Sequence, residues 1–497
     1  MRKEARDYYD RKLAALEDSS VRLFARNIPT DISTLKKIHL SGVCGKAMAP
    51  LAVLLASKGF SLSGSDEDIY PPMSDVVVAL GIDFKKGFSG DNLVGSDAVV
   101  IGNVCGPEHP EAKYAREHNV PTLSLPEAIH DGFIKNAKSL VVAGTHGKTT
   151  TTGLLAHVFA DAGRKPGYMI GGVMQVGEES SSAGNGDYFI IEGDEYDTAY
   201  FDKAPKFLHY APDIAIITSL EFDHVDIYKD MEEYTDAFKF LVKEIPTTGA
   251  LFLFGDQEQV KNLGAEAGCD VITYGFDSSN QITAKDIVVT GKGQEFSLIV
   301  RGEDYGRLFT SLPGNHNLLN VLSVCGVALR EGFTKEELRK GLASFSGMKR
   351  RQEVVAEING ITIIDDFAHH PTAVRETLSA IRAKYPGRRL VAFFEPRSNT
   401  SRRKIFEEAY SKSFASADLV FISTPALRPH DDQKEFIHPE HVVETLNSAG
   451  IKAYSVKDAD ELLEKALPLL ASGDVVLIMS NGSFDGIHIK LASMLRS

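Results

Sequence analysis

Ser139-Leu-Val-Val-Ala-Gly-Thr-His-Gly-Lys-Thr-Thr150 decides the architecture. An apolar run ends in a glycine, a second glycine follows three residues later, and a helical stretch, Thr150–Gly163, begins at once. This is strand, tight turn, helix, the arrangement that presents free backbone N–H groups and a positive helix end to a polyphosphate. Lys148 can reach β- and γ-phosphates, and the Thr149 hydroxyl can hold a divalent cation. The usual form of such a loop has a glycine six residues before the lysine, where this chain has Val142, so the loop is a shorter variant. A turn without a ligand would have little use for Gly-Lys-Thr-Thr at a helix start.

Two acidic clusters lie downstream. Glu192-Gly-Asp-Glu-Tyr-Asp197 ends the strand-like Tyr188–Glu192, and Glu221-Phe-Asp-His-Val-Asp226 follows Ile214–Thr218. Carboxyl ends of parallel strands share one crevice, so both clusters are expected beside the loop, where carboxylates suit Mg²⁺. Strands at Ala250–Phe254 and Val271–Tyr274 complete this unit. Three segments at 285–311, separated by glycine- and charge-rich turns, predict antiparallel hairpins at its edge. Helices are expected near 317–331 and 335–344.

The flanking stretches alternate short apolar strands with helices. Before the loop come Lys37–Leu40, the turn Ser41-Gly-Val-Cys-Gly45, and strands at Ser61–Gly64, Asp97–Gly102 and Pro121–Leu125. After it come Ile361–Ile364, Leu390–Phe394, Leu419–Ile422, Ala453–Val456 and Val475–Met479. Such alternation predicts parallel sheets with helices on both faces. The fold class is therefore α/β in three domains: a Rossmann-like unit at 35–137, a central P-loop ATPase unit with a mixed sheet at 138–347, and a second Rossmann-like unit at 348–497. Residues 1–34 read as a charged helical extension.

The chain has 497 residues, 43% hydrophobic and 25% charged, as expected of an ordinary globular protein. Asp and Glu outnumber Lys and Arg, 68 to 54, for a formal charge of −14, which argues against a broad nucleic-acid-binding surface. The four cysteines form no Cys-x-x-Cys pair, which favours a reducing compartment. The N-terminus is too charged for a signal-peptide core, and no apolar run reaches the roughly 20 residues of a membrane span. The chain reads as a cytoplasmic enzyme with no membrane partner; monomer or dimer is left open.

At these residues the sequence resembles the Mur ligase family. The loop, the Glu192 cluster and Asp223-His224 occur in the family's order, as do Gly314-Asn-His-Asn-Leu-Leu-Asn320 and Asp365-Asp-Phe-Ala-His-His-Pro371. The likeness runs from about residue 36 to the C-terminus. It implies an ATP- and Mg²⁺-dependent ligase that activates the lactyl carboxylate of UDP-N-acetylmuramate as an acyl phosphate and couples it to an amine. Tyr70-Pro-Pro-Met-Ser74, Phe201-Asp-Lys203, Glu395-Pro-Arg-Ser-Asn-Thr400 and Met479-Ser-Asn-Gly-Ser-Phe-Asp-Gly-Ile-His488 resemble the branch whose amine is L-alanyl-γ-D-glutamyl-meso-diaminopimelate, used in peptidoglycan recycling. The alternative is the branch that adds L-alanine. Ser483 and Asp485 stand where the tripeptide branch tends to carry glycines. Phe238 stands where several members have a carbamylated lysine, with Lys239 one residue off register.

The resemblance further implies roles. ATP would be held by Gly144, Thr145, His146, Gly147, Lys148, Thr149 and Thr150, with adenine contacts from His316 and Asn320 and a ribose contact from Asp365 or Asp366. Thr149 and Glu192 would ligate one Mg²⁺ and His224 a second. Arg351, rather than Arg350, would reach the γ-phosphate on closure. The UDP-sugar would lie on Gly42, Gly45, Ser65 and Asp66. Phe367, Arg397, Ser398 and Asn399 would face the peptide, with His369 or His370 as candidate base.

Overall fold

A computed structural model describes residues 1–16, 19, 26–29, 31–67, 73–177, 179–426 and 433–496. Most of the Tyr70–Ser74 stretch lies outside them. Three large sheets organise the molecule.

The first sheet has five parallel strands in the order Asp83–Lys86, Ser61–Asp66, Lys37–Ser41, Ala98–Ile101, Thr122–Ser124. The central sheet has ten strands. Lys138–Ala143 sits in its middle, between Tyr188–Gly193 and Ile214–Ile217, parallel to both. Both neighbours therefore deliver their carboxyl ends beside the loop that follows Ala143. At one edge Ile282–Thr290, Gly293–Val300 and Glu303–Thr310 run antiparallel, as the turn chemistry predicts. The third sheet has six strands, five of them parallel, with Glu353–Ile358 antiparallel at its edge.

Continuous apolar runs explain the parallel strands. Leu140–Ala143, Ile214–Ile217 and Leu390–Phe394 are buried at every position, because helices cover both faces. The elements unread in the sequence are short or polar. Asp83-Phe-Lys-Lys86, Gly167–Met169, Ser181–Ser182, the hairpin Asp197–Ala199/Asp202–Pro205 and the half-exposed edge Glu353–Ile358 lack an apolar period. The third unit is thus mixed at one edge rather than wholly doubly wound.

Within the N-terminal extension, a helix spans Lys3–Ala14 and a 3-10 turn spans Ile32–Thr34. The helix buries Ala5, Tyr9 and Leu13, spaced four apart, against the central unit. No helix among the described residues is long and apolar enough to cross a membrane.

Candidate active site

The loop begins where the strand Lys138–Ala143 stops. Gly144 has φ +125°, and a Cβ there would lie 2.3 Å from Thr218 Oγ1. Gly147 has φ +82°, and a Cβ would lie 2.5 Å from Asn320 Oδ1. Both glycines are thus required twice over, by conformation and by close approach. The loop is sewn to the neighbouring strand end. Thr145 N donates to the Ser219 carbonyl (3.0 Å), His146 N to Ser219 Oγ (2.9 Å), and Thr145 Oγ1 to the Glu221 carbonyl (2.9 Å). The helix Lys148–Asp161 follows, with Thr149 and Thr150 buried in its first turn.

Lys148 curls back over the loop. Its Nζ donates to the Gly144 carbonyl (2.6 Å) and pairs with Glu195, 3.0 Å from Oε1 and 2.9 Å from Oε2. Glu195 is wholly buried, and the same Oε1 meets His224 Nε2 at 3.2 Å and accepts from Tyr234 Oη at 3.2 Å. Burial alone would pull the His224 imidazole down, but Glu195, Asp223 and Asp194 raise it to about 9. Beside this hub, Thr149 Oγ1 donates to Glu192 Oε1 (3.0 Å), and Glu192 Oε2 accepts from Gly171 N (2.8 Å). Ligand atoms of Asp194, Glu195 and His224 lie within 4.8 Å of one another. This oxygen-rich donor set suits a hard divalent cation.

The third unit closes over this face. Arg350 and Gln352 take left-handed backbone, φ +57° and +52°, and Arg351 between them points its Nη2 at Thr149 Oγ1, 3.4 Å away. Arg350 turns the other way, to Asp365 (3.1 Å) and the Ser480 and Gly482 carbonyls. Thr372 Oγ1 donates to Glu221 Oε2 (2.7 Å), an oxygen also approached by His146 Nε2 (3.3 Å) and His370 Nδ1 (3.4 Å). Thr400 donates to Asp223, and Asn399 Nδ2 to Asp226 (3.0 Å). His316 Nε2 meets Gln352 Nε2 at 3.1 Å, and burial, then Arg351 and His146, lower the imidazole to about 4.

The first unit reaches the same seam. Lys46 Nζ lies 5.3 Å from the centre of the Phe367 ring, on which Arg351 (4.8 Å) and Arg350 (5.4 Å) also stand. Three cations on one ring make an electropositive corner. Arg397, half-exposed, lies across Gly482, where a Cβ would meet its Cδ at 2.2 Å. Gly42 is left-handed at φ +82°, and Gly45 N donates to its carbonyl (2.9 Å).

Several residues named from the sequence are engaged within the protein. Ser65 is fully buried and its hydroxyl donates to Glu111 (2.8 Å). Asp66 accepts from Cys44 N (2.9 Å) and so holds the glycine turn. Asp366 is buried and accepts from Gln352 N (2.8 Å) and Ala368 N (2.7 Å), which ties the junction together. Ser398 is engaged with Ser401 (2.9 Å). Burial, above all, lowers His369 to about 4 and His370 to about 3, and His370 caps the helix Pro371–Lys384 through Thr372 N (3.4 Å). Burial thus holds both imidazoles below their usual range and neutral. Phe238 is core, and Lys239 pairs with Asp236 (2.8 Å) on the outer face. Asp485 adopts φ +49°, the glycine-favouring conformation expected from the glycine-rich counterpart stretch. The sequence reading did not single out Glu195 as the link between Lys148 and His224, nor Lys46; Glu195's only signal was membership of the 192–197 cluster.

With this geometry in view, three family descriptions match in order: Mur ligase family, catalytic domain, at 37–133; Mur ligase middle domain at 142–328; and Mur ligase, glutamate ligase domain, at 350–482. A UDP-N-acetylmuramate–L-alanyl-γ-D-glutamyl-meso-2,6-diaminoheptandioate ligase of Escherichia coli K12 is 37% identical over 92% of this chain and 97% of its own. A UDP-N-acetylmuramate–L-alanine ligase of Lawsonia intracellularis is 32% identical over 92% and 99%. A crystal structure of a murein peptide ligase from Psychrobacter arcticus superposes with TM-score 0.70 at 31% identity, covering 93% of this chain and 98% of that one. Lengthwise matches at these identities, over three domains in order, place the chain in the Mur ligase family.

Proposed function

We propose that the chain joins the lactyl carboxylate of UDP-N-acetylmuramate to the α-amine of L-alanyl-γ-D-glutamyl-meso-diaminopimelate, at the expense of ATP. The observation that carries this reading is convergence at one seam. Lys148 of the loop, Glu195 and His224 of the two acidic clusters, and Arg351 of the third unit all meet there, while the chain shares 37% identity with a ligase named for this reaction. The units near 35–137, 138–347 and 348–497 are assigned to the UDP-sugar, to ATP, and to the peptide together with closure.

Lys148 holds the β- and γ-phosphates once it leaves Gly144 and Glu195, and Arg351 lies across the seam to meet charge developing on the transferred phosphoryl. Thr149 with Glu192, and His224 with Asp194 and Glu195, would hold Mg²⁺, which when bound supplies further neutralisation of the phosphates. The carboxylate attacks the γ-phosphate to give an acyl phosphate and ADP. The peptide amine then attacks the acyl carbon and phosphate leaves. The amine attacks as its neutral fraction, about a tenth at pH 7 for an α-amine pKa of about 8, and the proton lost on forming the amide passes to the departing phosphate or to solvent. Closure at Thr372–Glu221 and Asn399–Asp226 keeps water from the acyl phosphate. Arg397, over Gly482, is the guanidinium assigned to a peptide carboxylate. ATP and UDP-sugars as substrates support a cytoplasmic reaction.

The test supplies purified protein with UDP-N-acetylmuramate, MgATP and either the tripeptide or L-alanine, and identifies the amide product by mass. Tripeptide adduct is expected. Exclusive use of L-alanine would overturn the assignment in favour of the alanine-adding reaction, and ATP hydrolysis without an amide would overturn both.

A further inference from the structure

We propose that the N-terminal helix Lys3–Ala14, which precedes the residues matched to the family, is a brace for the catalytic turn at His224, and that Lys12 is its positioning residue. The proposal rests on the reading of His224 as a metal ligand.

The turn is conformationally demanding. His224 has φ +53°, which few side-chain-bearing residues adopt without support from their surroundings. Its carbonyl accepts from Ile227 N (3.0 Å) and Tyr228 N (3.1 Å), so residues 224–228 form one closed unit. The near end of that unit places the imidazole on Glu195, and the far end is held from outside the domain.

That outside hold is the helix. Ala5 and Tyr9 join the apolar cluster that contains Tyr228, Tyr234, Phe238 and Leu241, and Tyr8 packs on Phe240 with ring centres 5.3 Å apart. From the helix's last turn, Lys12 Nζ donates to the Ile227 carbonyl (3.2 Å), pairs with Glu233 (2.7 Å), and stands 5.4 Å from the centre of the Tyr228 ring. Tyr228 in turn donates through its hydroxyl to the Glu195 backbone carbonyl (2.6 Å). One lysine thus fixes both the carbonyl that ends the His224 turn and the ring that anchors Glu195. Residues that orient metal ligands from behind typically matter nearly as much as the ligands themselves.

The experiment compares full-length Lys12→Met, which keeps an apolar stem, with Lys12→Arg and His224→Ala. Product formation is followed as a function of free Mg²⁺ at saturating ATP, alongside Tm. Lys12→Met is expected to raise the half-saturating Mg²⁺ concentration or lower kcat by roughly tenfold, with Tm close to the parent, and Lys12→Arg to restore both. A Lys12→Met enzyme whose Mg²⁺ response matches the parent, while His224→Ala shifts it, overturns the brace alone. A loss confined to Tm, with kcat and Mg²⁺ response unchanged, overturns it as well. An unchanged Mg²⁺ response in His224→Ala overturns the metal-ligand reading on which the proposal stands.

Discussion

Glu195 and Glu111 are both wholly buried carboxylates at the carboxyl end of a parallel sheet, and they do different work. Glu195 lies between the Lys148 ammonium and the His224 imidazole, whose basicity it raises together with Asp223 and Asp194. Glu111 is held by the enclosed His39 (3.5 Å) and by Ser41, Ser65 (2.8 Å) and Asn92 (2.8 Å). A carboxylate held by charges sits in a balance that an incoming polyphosphate can disturb, because the phosphate competes for the same cations. One held by hydroxyls, an amide and an imidazole sealed in the core is saturated and out of a ligand's reach. The first kind marks a site; the second fastens a helix to a sheet. Burial and acidity are common to both, so only the partners distinguish them.

The comparison is sharpest in its largest predicted effect. Lys148→Ala removes the cation that passes from Glu195 to the phosphates, and ligation should fall by about a thousandfold or more; turnover near the parent's, measured by amide product, would break the account of the loop. Glu195→Gln keeps the shape but removes the charge between Lys148 and His224. A loss of about a hundredfold in kcat is expected, with stability lower by about 3 kcal/mol because a buried ammonium loses its partner. Denaturant melts and kinetics on one preparation would separate the two.

Glu111→Gln should reverse that pattern, with kcat within about twofold of the parent and stability lower by about 1–3 kcal/mol. Its pH signature is specific. Burial opposes ionisation of Glu111, but the donors from His39, Ser41, Asn92 and Ser65 overcome it and lower the group from 4.5 to about 2. A carboxyl depressed in the folded state stabilises fully above its unfolded value, and that contribution fades as pH falls. Between pH 4.5 and 2 the parent should lose of order 3 kcal/mol that Glu111→Gln never had. Parallel melting curves for the two across that window would contradict it. Smallest of all, Ser65→Ala should cost about 1 kcal/mol of stability and leave the KM for UDP-N-acetylmuramate unchanged; a raised KM would return Ser65 to the substrate site.

The loop was legible because its constraints are local. A strand, two glycines, a lysine and a helix start within a dozen residues leave few other readings, and the order of the later motifs supplied the rest of the family likeness. Ser65 shows what local reading leaves out. Its place after a strand and beside a glycine turn suited a nucleotide contact, yet its partner is a glutamate 46 residues away. The same holds for His369 and His370, whose histidine chemistry was plain in the sequence but whose burial, and hence weak basicity, comes from packing against the central unit.

The sequence by itself determined the alternation of apolar strands and helices, the phosphate loop, and which acidic clusters follow which strands, since these depend on chain periodicity and on conformations that only certain residues tolerate. The tertiary structure alone decided that Glu195 joins Lys148 to His224, that Lys46 reaches Phe367, and that a helix at the N-terminus packs against a turn more than 200 residues away. Charge pairing and burial act through space, over a few ångströms, between residues whose separation along the chain carries no trace of the encounter.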